Sequence, residues 1–212
     1  GADYYPRLTA VIDSSDKARQ LVNEQAEMAL LLAGAIILAM ISLAPFVIYA
    51  LYSSEFEPAT EVLRWQMLGS IVKLVSWPMG FVVLASGRSG LFVYTQFVWN
   101  AVFVLCIYLF LDNLGLLAIG VAFCIAYTVS VFNVWFVAHT LIAIVPARFN
   151  VLAATFLIGA GGTVIYLNSI SFALSTFVGC TMSAIVAVSS LWKLNSLIDL
   201  IGWSRDKLGR KK

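Results

Sequence analysis

One basic side chain stands alone in apolar sequence. Lys73 falls in the run 67–86, and no other charge shares that run. A charge inside a membrane-length apolar run is costly. It therefore reads first as functional, facing an internal cavity or an anionic ligand such as a phosphate-bearing substrate. Gly69, Ser76 and Gly80 share its helical face. Small residues there suit helix packing or a cavity, not lipid tails. The competing reading is a snorkelling lysine, since Lys73 is expected about seven residues from the outer end of its helix, roughly 10 Å deep at about 1.5 Å per residue. In the next apolar run, Gln96 and Asn100 are four apart and share one face. They line a polar path or, the commoner role, bond across to a neighbouring helix. Ser130 and Asn133 invite the same two readings. Enzymatic signatures are missing. His139 is the single histidine, no His/Cys/carboxylate cluster has ligand spacing, and no Gly-rich phosphate loop is present. The apolar runs hold no Asp or Glu, so paired carboxylates for intramembrane hydrolysis are not expected. The chain is read as neither an enzyme nor a metal or cofactor protein.

Such side chains need membrane helices to position them. Hydrophobic residues make up 61% of the 212 and charged residues only 11%, against about 25% charged in soluble domains. Mean hydropathy is +0.94. The pattern predicts an all-α, polytopic helical membrane protein with six spans, at 28–52, 67–86, 91–111, 116–138, 151–168 and 172–192. Pro45 and Pro78 fall inside the first two. Segment 139–150 either extends the fourth helix or lies along the interface, with Pro146 and Arg148 marking a break. Short turns are expected at 87–90, 112–115 and 168–171. A longer acidic loop is expected at 53–66, with Glu55, Glu57 and Glu61. Residues 1–27 read as a helical connector. Residues 193–212 read as a tail in which Leu194, Leu197, Ile198 and Ile201 recur at helical spacing before Trp203 and a basic end. That tail is an inner-leaflet helix or a solvated extension.

Smaller features complete the pattern. Ser175, Gly179, Ser183 and Ala187 form a stripe of small residues for packing. The glycine-rich run 159–162 allows close approach. Trp65, Trp192 and Trp203 fit an aromatic belt. Cys106, Cys124 and Cys180 sit in apolar runs and read as reduced and inert. A net charge of +2 leaves no nucleic-acid footprint. No cleavable signal peptide is visible, and the absent initial Met suggests a fragment.

With six spans, eleven of the thirteen Lys and Arg residues fall on the side that holds both termini. Arg64 alone falls on the other side, and Lys73 is intramembrane. The positive-inside bias puts both ends in the cytoplasm.

Several strings resemble the polysaccharide-transporter branch of the multidrug/oligosaccharidyl-lipid/polysaccharide exporter superfamily, the O-antigen translocases or flippases. They are Tyr4-Tyr-Pro-Arg-Leu-Thr9, Val22-Asn-Glu-Gln25, Leu43-Ala-Pro-Phe46 and Leu51-Tyr-Ser-Ser-Glu-Phe56 with Pro58-Ala59. Leu63-Arg-Trp-Gln-Met-Leu-Gly69 and Ser76-Trp-Pro-Met-Gly80 follow, then Leu84-Ala85 and Gly87-Arg88. The match is dense over residues 4–90. The resemblance implies a C-terminal portion, most of one lobe of a two-lobed exporter, with the N-terminal lobe as its missing partner. It implies translocation of polyprenyl-diphosphate-linked oligosaccharide across the bacterial inner membrane. It also implies that Pro6 and Arg7 close a helix before a cytoplasmic connector, and that Glu24 and Gln25 open the first span on that side, all four being gating candidates. Two positions depart from the family pattern: Ala35 where relatives carry Pro, and Ser70 where they carry an acid. The second departure removes a partner for Lys73. The alternative reading is a non-transporting membrane scaffold, or one half of a split transporter.

Overall fold

The computed structural model describes the backbone of residues 3–209 and the side chains of 3–53 and 55–195. Seven α-helices make up these residues, with no strand among them: α1 (Tyr4–Val11), α2 (Ser15–Leu51), α3 (Ala59–Ala85), α4 (Ser89–Leu114), α5 (Leu117–Ile142), α6 (Arg148–Asn168) and α7 (Phe172–Gly209). A 3₁₀ turn, Ser54–Phe56, joins α2 to α3. Among the described residues, α2 to α7 are long and apolar enough to cross a membrane. The chain is a multi-pass helical membrane protein. Its spans are helical because lipid offers no partner for backbone N–H and C=O groups.

Two helices start earlier than hydropathy suggests. α2 begins at Ser15, not near 28, so the expected connector splits into α1 and the first turns of the first spanning helix. Ala18, Val22 and Ala26 bury one face of those turns, which carries the helix into polar sequence. Glu24 and Glu27 therefore lie on the same continuous helix as the first apolar run, just before that run begins. Glu27 pairs with Lys193 of α7 at 2.6 Å, and the Lys193 ammonium also lies over the Phe149 ring of α6. α3 begins at Ala59, because Glu61 and Arg64 pair one helical turn apart inside it.

Glycines close two of the hairpins. Gly87 and Gly115 adopt φ values of +69° and +55°, where a side chain is disfavoured. α5 ends differently. Ala143 takes the left-handed conformation and donates its N–H to the His139 carbonyl, while a His139 ring nitrogen lies 2.9 Å from the Ile144 carbonyl. His139 thus has a structural role at this helix end. Segment 139–150 follows neither expected path throughout: α5 runs to Ile142, an irregular stretch follows, and α6 starts at Arg148.

α3 lies between α2 and α5. α4 rests mainly on α5, while α6 and α7 rest mainly on α2 and on each other. The small-residue stripe of α7 packs as expected. Ser175 Oγ donates to the Val164 carbonyl and Ser183 Oγ to the Ala35 carbonyl, both at 2.8 Å. Trp65 is half-buried and packs against the core and against Gly120 of α5. Trp192 is exposed. The amphipathic face expected beyond Asn195, with Leu197, Ile198, Ile201, Trp203 and 207–212, lies outside the described side chains.

Asn23 ties α2 to the segment between α5 and α6. Its Nδ2 donates to the Val145 carbonyl at 3.1 Å and its Oδ1 accepts from the Ala147 N–H at 2.7 Å. Asn150, fully buried, donates to the Asn23 carbonyl at 2.9 Å. Asn23→Ala removes the side-chain partners of Val145 and Ala147 and is expected to cost about 1–3 kcal/mol. Thermal unfolding of the detergent-solubilised protein would read this as a lowered midpoint.

Candidate functional site

α3 and α4 touch each other little, yet both lean on α5. They splay as the walls of a cleft whose floor is α5. Its volume is about 360 Å³. Lys73, Ser76, Trp77, Gly80, Phe81 and Leu84 come from α3, and Phe92, Gln96, Trp99 and Asn100 from α4. Tyr127, Ser130 and Val134 form the floor. Each set recurs every three or four residues, which is one face of each helix. The three substrate-path candidates, Lys73, Gln96 and Asn100, thus meet in a single cleft. They are far apart in sequence, and only the antiparallel packing of α3, α4 and α5 brings them together.

Lys73 is not near a helix end. It stands at the midpoint of α3, about 20 Å from either terminus at roughly 1.5 Å per residue. The distance to the helix end is longer than expected because α3 starts eight positions earlier than hydropathy indicated. The side chain is exposed within the bundle. Its ammonium lies 5.5 Å from the Tyr127 ring centroid, within cation–π range. No carboxylate among the described residues pairs with it. At the position of the departed acid, Ser70 Oγ donates back to the Gln66 carbonyl instead.

The amides are available. Asn100 Nδ2 donates to the Gln96 carbonyl of its own helix at 2.8 Å, so neither side chain is used to bond a neighbouring helix. Ser130 reaches the floor, whereas Asn133 turns aside and donates to Tyr94 Oη at 3.4 Å. The aromatic wall was not singled out by sequence reasoning. Trp77 lies one turn from Lys73, but its direction depended on knowing where α5 packs. Trp99 stacks on Phe103 and leans on Phe123 and Tyr127, and its Nε1 is buried without a partner.

The gating candidates lie elsewhere. Pro6 sits in the first turn of α1, where a proline costs no helix hydrogen bond. Arg7 and Glu24, with Lys17 and Gln20, border a shallow groove between α1 and α2. Arg7 pairs with Asp3 at 3.8 Å on the surface, a contact worth little. Glu24 accepts from Gln20 at 2.7 Å. Gln25 is half-buried outside this groove. Among the described residues, no group of three His, Cys, Asp or Glu side chains could hold a metal.

No family model, curated protein or solved structure matches this chain.

Proposed function

We propose that the chain is the C-terminal portion of a flippase that moves polyprenyl-diphosphate-linked oligosaccharide across the bacterial inner membrane, for surface polysaccharide or O-antigen synthesis. One observation carries this reading: Lys73 is exposed at the middle of a spanning helix, in a cleft with two amide side chains that bond no neighbouring helix and with no carboxylate among its lining residues. Such a cation is costly against lipid tails and favourable against an anion in a polar cavity. The diphosphate supplies that anion. Gln96 and Asn100 supply hydrogen bonds to phosphate or sugar, and the aromatic wall supplies apolar faces.

Two further features support it. The strings that carry the family resemblance touch one another: Tyr4 bonds to Pro78, and Arg64 bonds to the turn of α2 that contains Pro45. The basic residues Lys17, Arg19, Arg88, Arg148 and Lys193 gather at one end of the bundle, which the positive-inside bias assigns to the cytoplasm. Arg64, the lone basic residue assigned to the opposite side, is buried, which sharpens that bias. α3 and α4 touch little, and in the full-length protein the second lobe would cover the gap between them.

In the full-length protein, Lys73→Ala is expected to lower glycolipid export about tenfold or more, in line with the roughly 1.5–3 kcal/mol of a hydrogen bond to a charged group. Lys73→Arg should be milder. Surface glycan in cells lacking their own flippase is the measurement, and wild-type export by Lys73→Ala would remove Lys73 from the path.

A further inference from the structure

We propose that the groove between α2, α6 and α7 is a resident phospholipid site, taking an acyl chain along its floor and an anionic headgroup at its Arg148–Lys193 end. The groove shares no lining residue with the cleft, and its test needs no transport.

α6 presents Phe149, Leu152, Ala153, Phe156 and Leu157 on one face, because residues three and four apart share a side of a helix. With Leu30 of α2 and Val186 of α7 they line a groove of about 300 Å³. Leu30 and Leu157 are buried and form its floor. Leu152 and Phe156 are 69% and 56% exposed and stand as one wall. From Phe149 to Leu157 the groove runs about 12 Å along α6, at about 1.5 Å per residue. Ser189 also lines it, but its hydroxyl is spent on the Val186 carbonyl at 2.9 Å. Boundary lipid elsewhere touches the convex surface of a helix. Here a floor from a second helix lets the protein enclose a chain from below and from both sides, and such packing is what lipid-facing surfaces have to offer in affinity.

The charges gather at one end of the groove. Lys193 Nζ of α7 lies 3.0 Å from the centroid of the Phe149 ring and 2.6 Å from Glu27. Arg148 directly precedes Phe149 at the start of α6. It is exposed, and among the described residues it pairs with no carboxylate. Two cations against one carboxylate leave this end positive. The first turn of α6 adds backbone N–H groups without helical acceptors, which favour an anion. An apolar channel that ends in unbalanced positive charge matches a molecule with an apolar chain and an anionic head. An anionic phospholipid has that form, and the bilayer supplies it directly to α6 and α7.

Native mass spectrometry of the full chain, released from detergent with added lipid, reads the occupant. Phosphatidylglycerol is expected to be retained about fivefold more than phosphatidylcholine of the same chains. Arg148→Gln should lower phosphatidylglycerol retention about fivefold, the worth of one basic residue beside an anionic lipid, and leave phosphatidylcholine unchanged. Ala153→Phe fills the groove and should lower the retention of both. Phe156→Ala removes an exposed wall and should do the same, which keeps the test if Ala153→Phe does not fold. Arg88→Gln is the control, an exposed cation in the turn between α3 and α4, and should change nothing. An equal loss in Arg88→Gln overturns the site, since general surface charge would then explain the binding. Unchanged retention in Phe156→Ala overturns the groove. Displacement by glycerol phosphate would show that a head alone suffices, and displacement by an equimolar polyprenyl phosphate would give the groove to a different lipid; either result overturns the proposal.

Discussion

Arg64→Ala is expected to destabilise the protein by about 3–5 kcal/mol, through an unpaired buried carbonyl and a large emptied site. Arg64 is 1% exposed. Its Nε donates to the Ile41 carbonyl of α2 at 3.2 Å. That carbonyl lacks its helical partner because the residue four positions on is Pro45, which has no N–H. Arg64 also donates through Nη1 to Glu61, and Glu61 accepts from Asn168 of α6. One guanidinium thus fills the gap left by a proline and joins α2 to α3 and, through Glu61, to α6. Nη2 of the same group is buried without a partner, a residual cost of bringing the cation inside. Pro45→Ala restores an N–H facing Ile41. The double variant should therefore recover about 1–2 kcal/mol relative to Arg64→Ala alone. Unfolding midpoints in a denaturing detergent series give the comparison, and strictly additive effects would break the proposed link.

Gly120→Val is expected to have the next largest effect, about 2–3 kcal/mol. A Cβ at Gly120 would lie 2.9 Å from the Val62 carbonyl oxygen, 2.9 Å from Trp65 Cβ and 3.1 Å from Val62 Cα. Backbone atoms do not move aside as a side-chain tip does, so α5 must lift off α3. Small residues permit this approach, and packing is the main force holding membrane helices together. Because Tyr127, Ser130 and Val134 ride on α5, the same substitution should disturb the cleft floor. Gly162→Ala is the matched control: a Cβ there meets nothing within 4 Å, and its effect should stay within about 1 kcal/mol.

Apolar run length made the six spanning helices legible, since a bilayer imposes both minimum length and helical form. Their ends were not legible. Hydropathy stops at the first charges, while α2 and α3 continue because those charges find partners or leave a buried face behind. That difference moved Lys73 from the edge of a helix to its middle. The residue types of the cleft were visible, and the i, i+4 pairing of Gln96 and Asn100 put them on one face. Their convergence on Lys73 was not visible, because it depends on α5 bridging two helices that barely touch. Arg64 was misread as a loop charge for a related reason. Nothing local reveals that a proline on another helix has left a carbonyl waiting for it. Asn23 escaped notice because its partners lie more than a hundred residues away.

The Pro45–Arg64 pairing also bears on how the chain enters the membrane. A lone α3 would carry toward lipid a guanidinium with only Glu61 of its own helix as partner, and a lone α2 would carry an open carbonyl. Neither is comfortable by itself, and each relieves the other. The two helices should therefore leave the insertion machinery as a hairpin, with α2 waiting at the lateral exit until α3 has been synthesised. The 3₁₀ turn between them is short enough to keep both at that exit together.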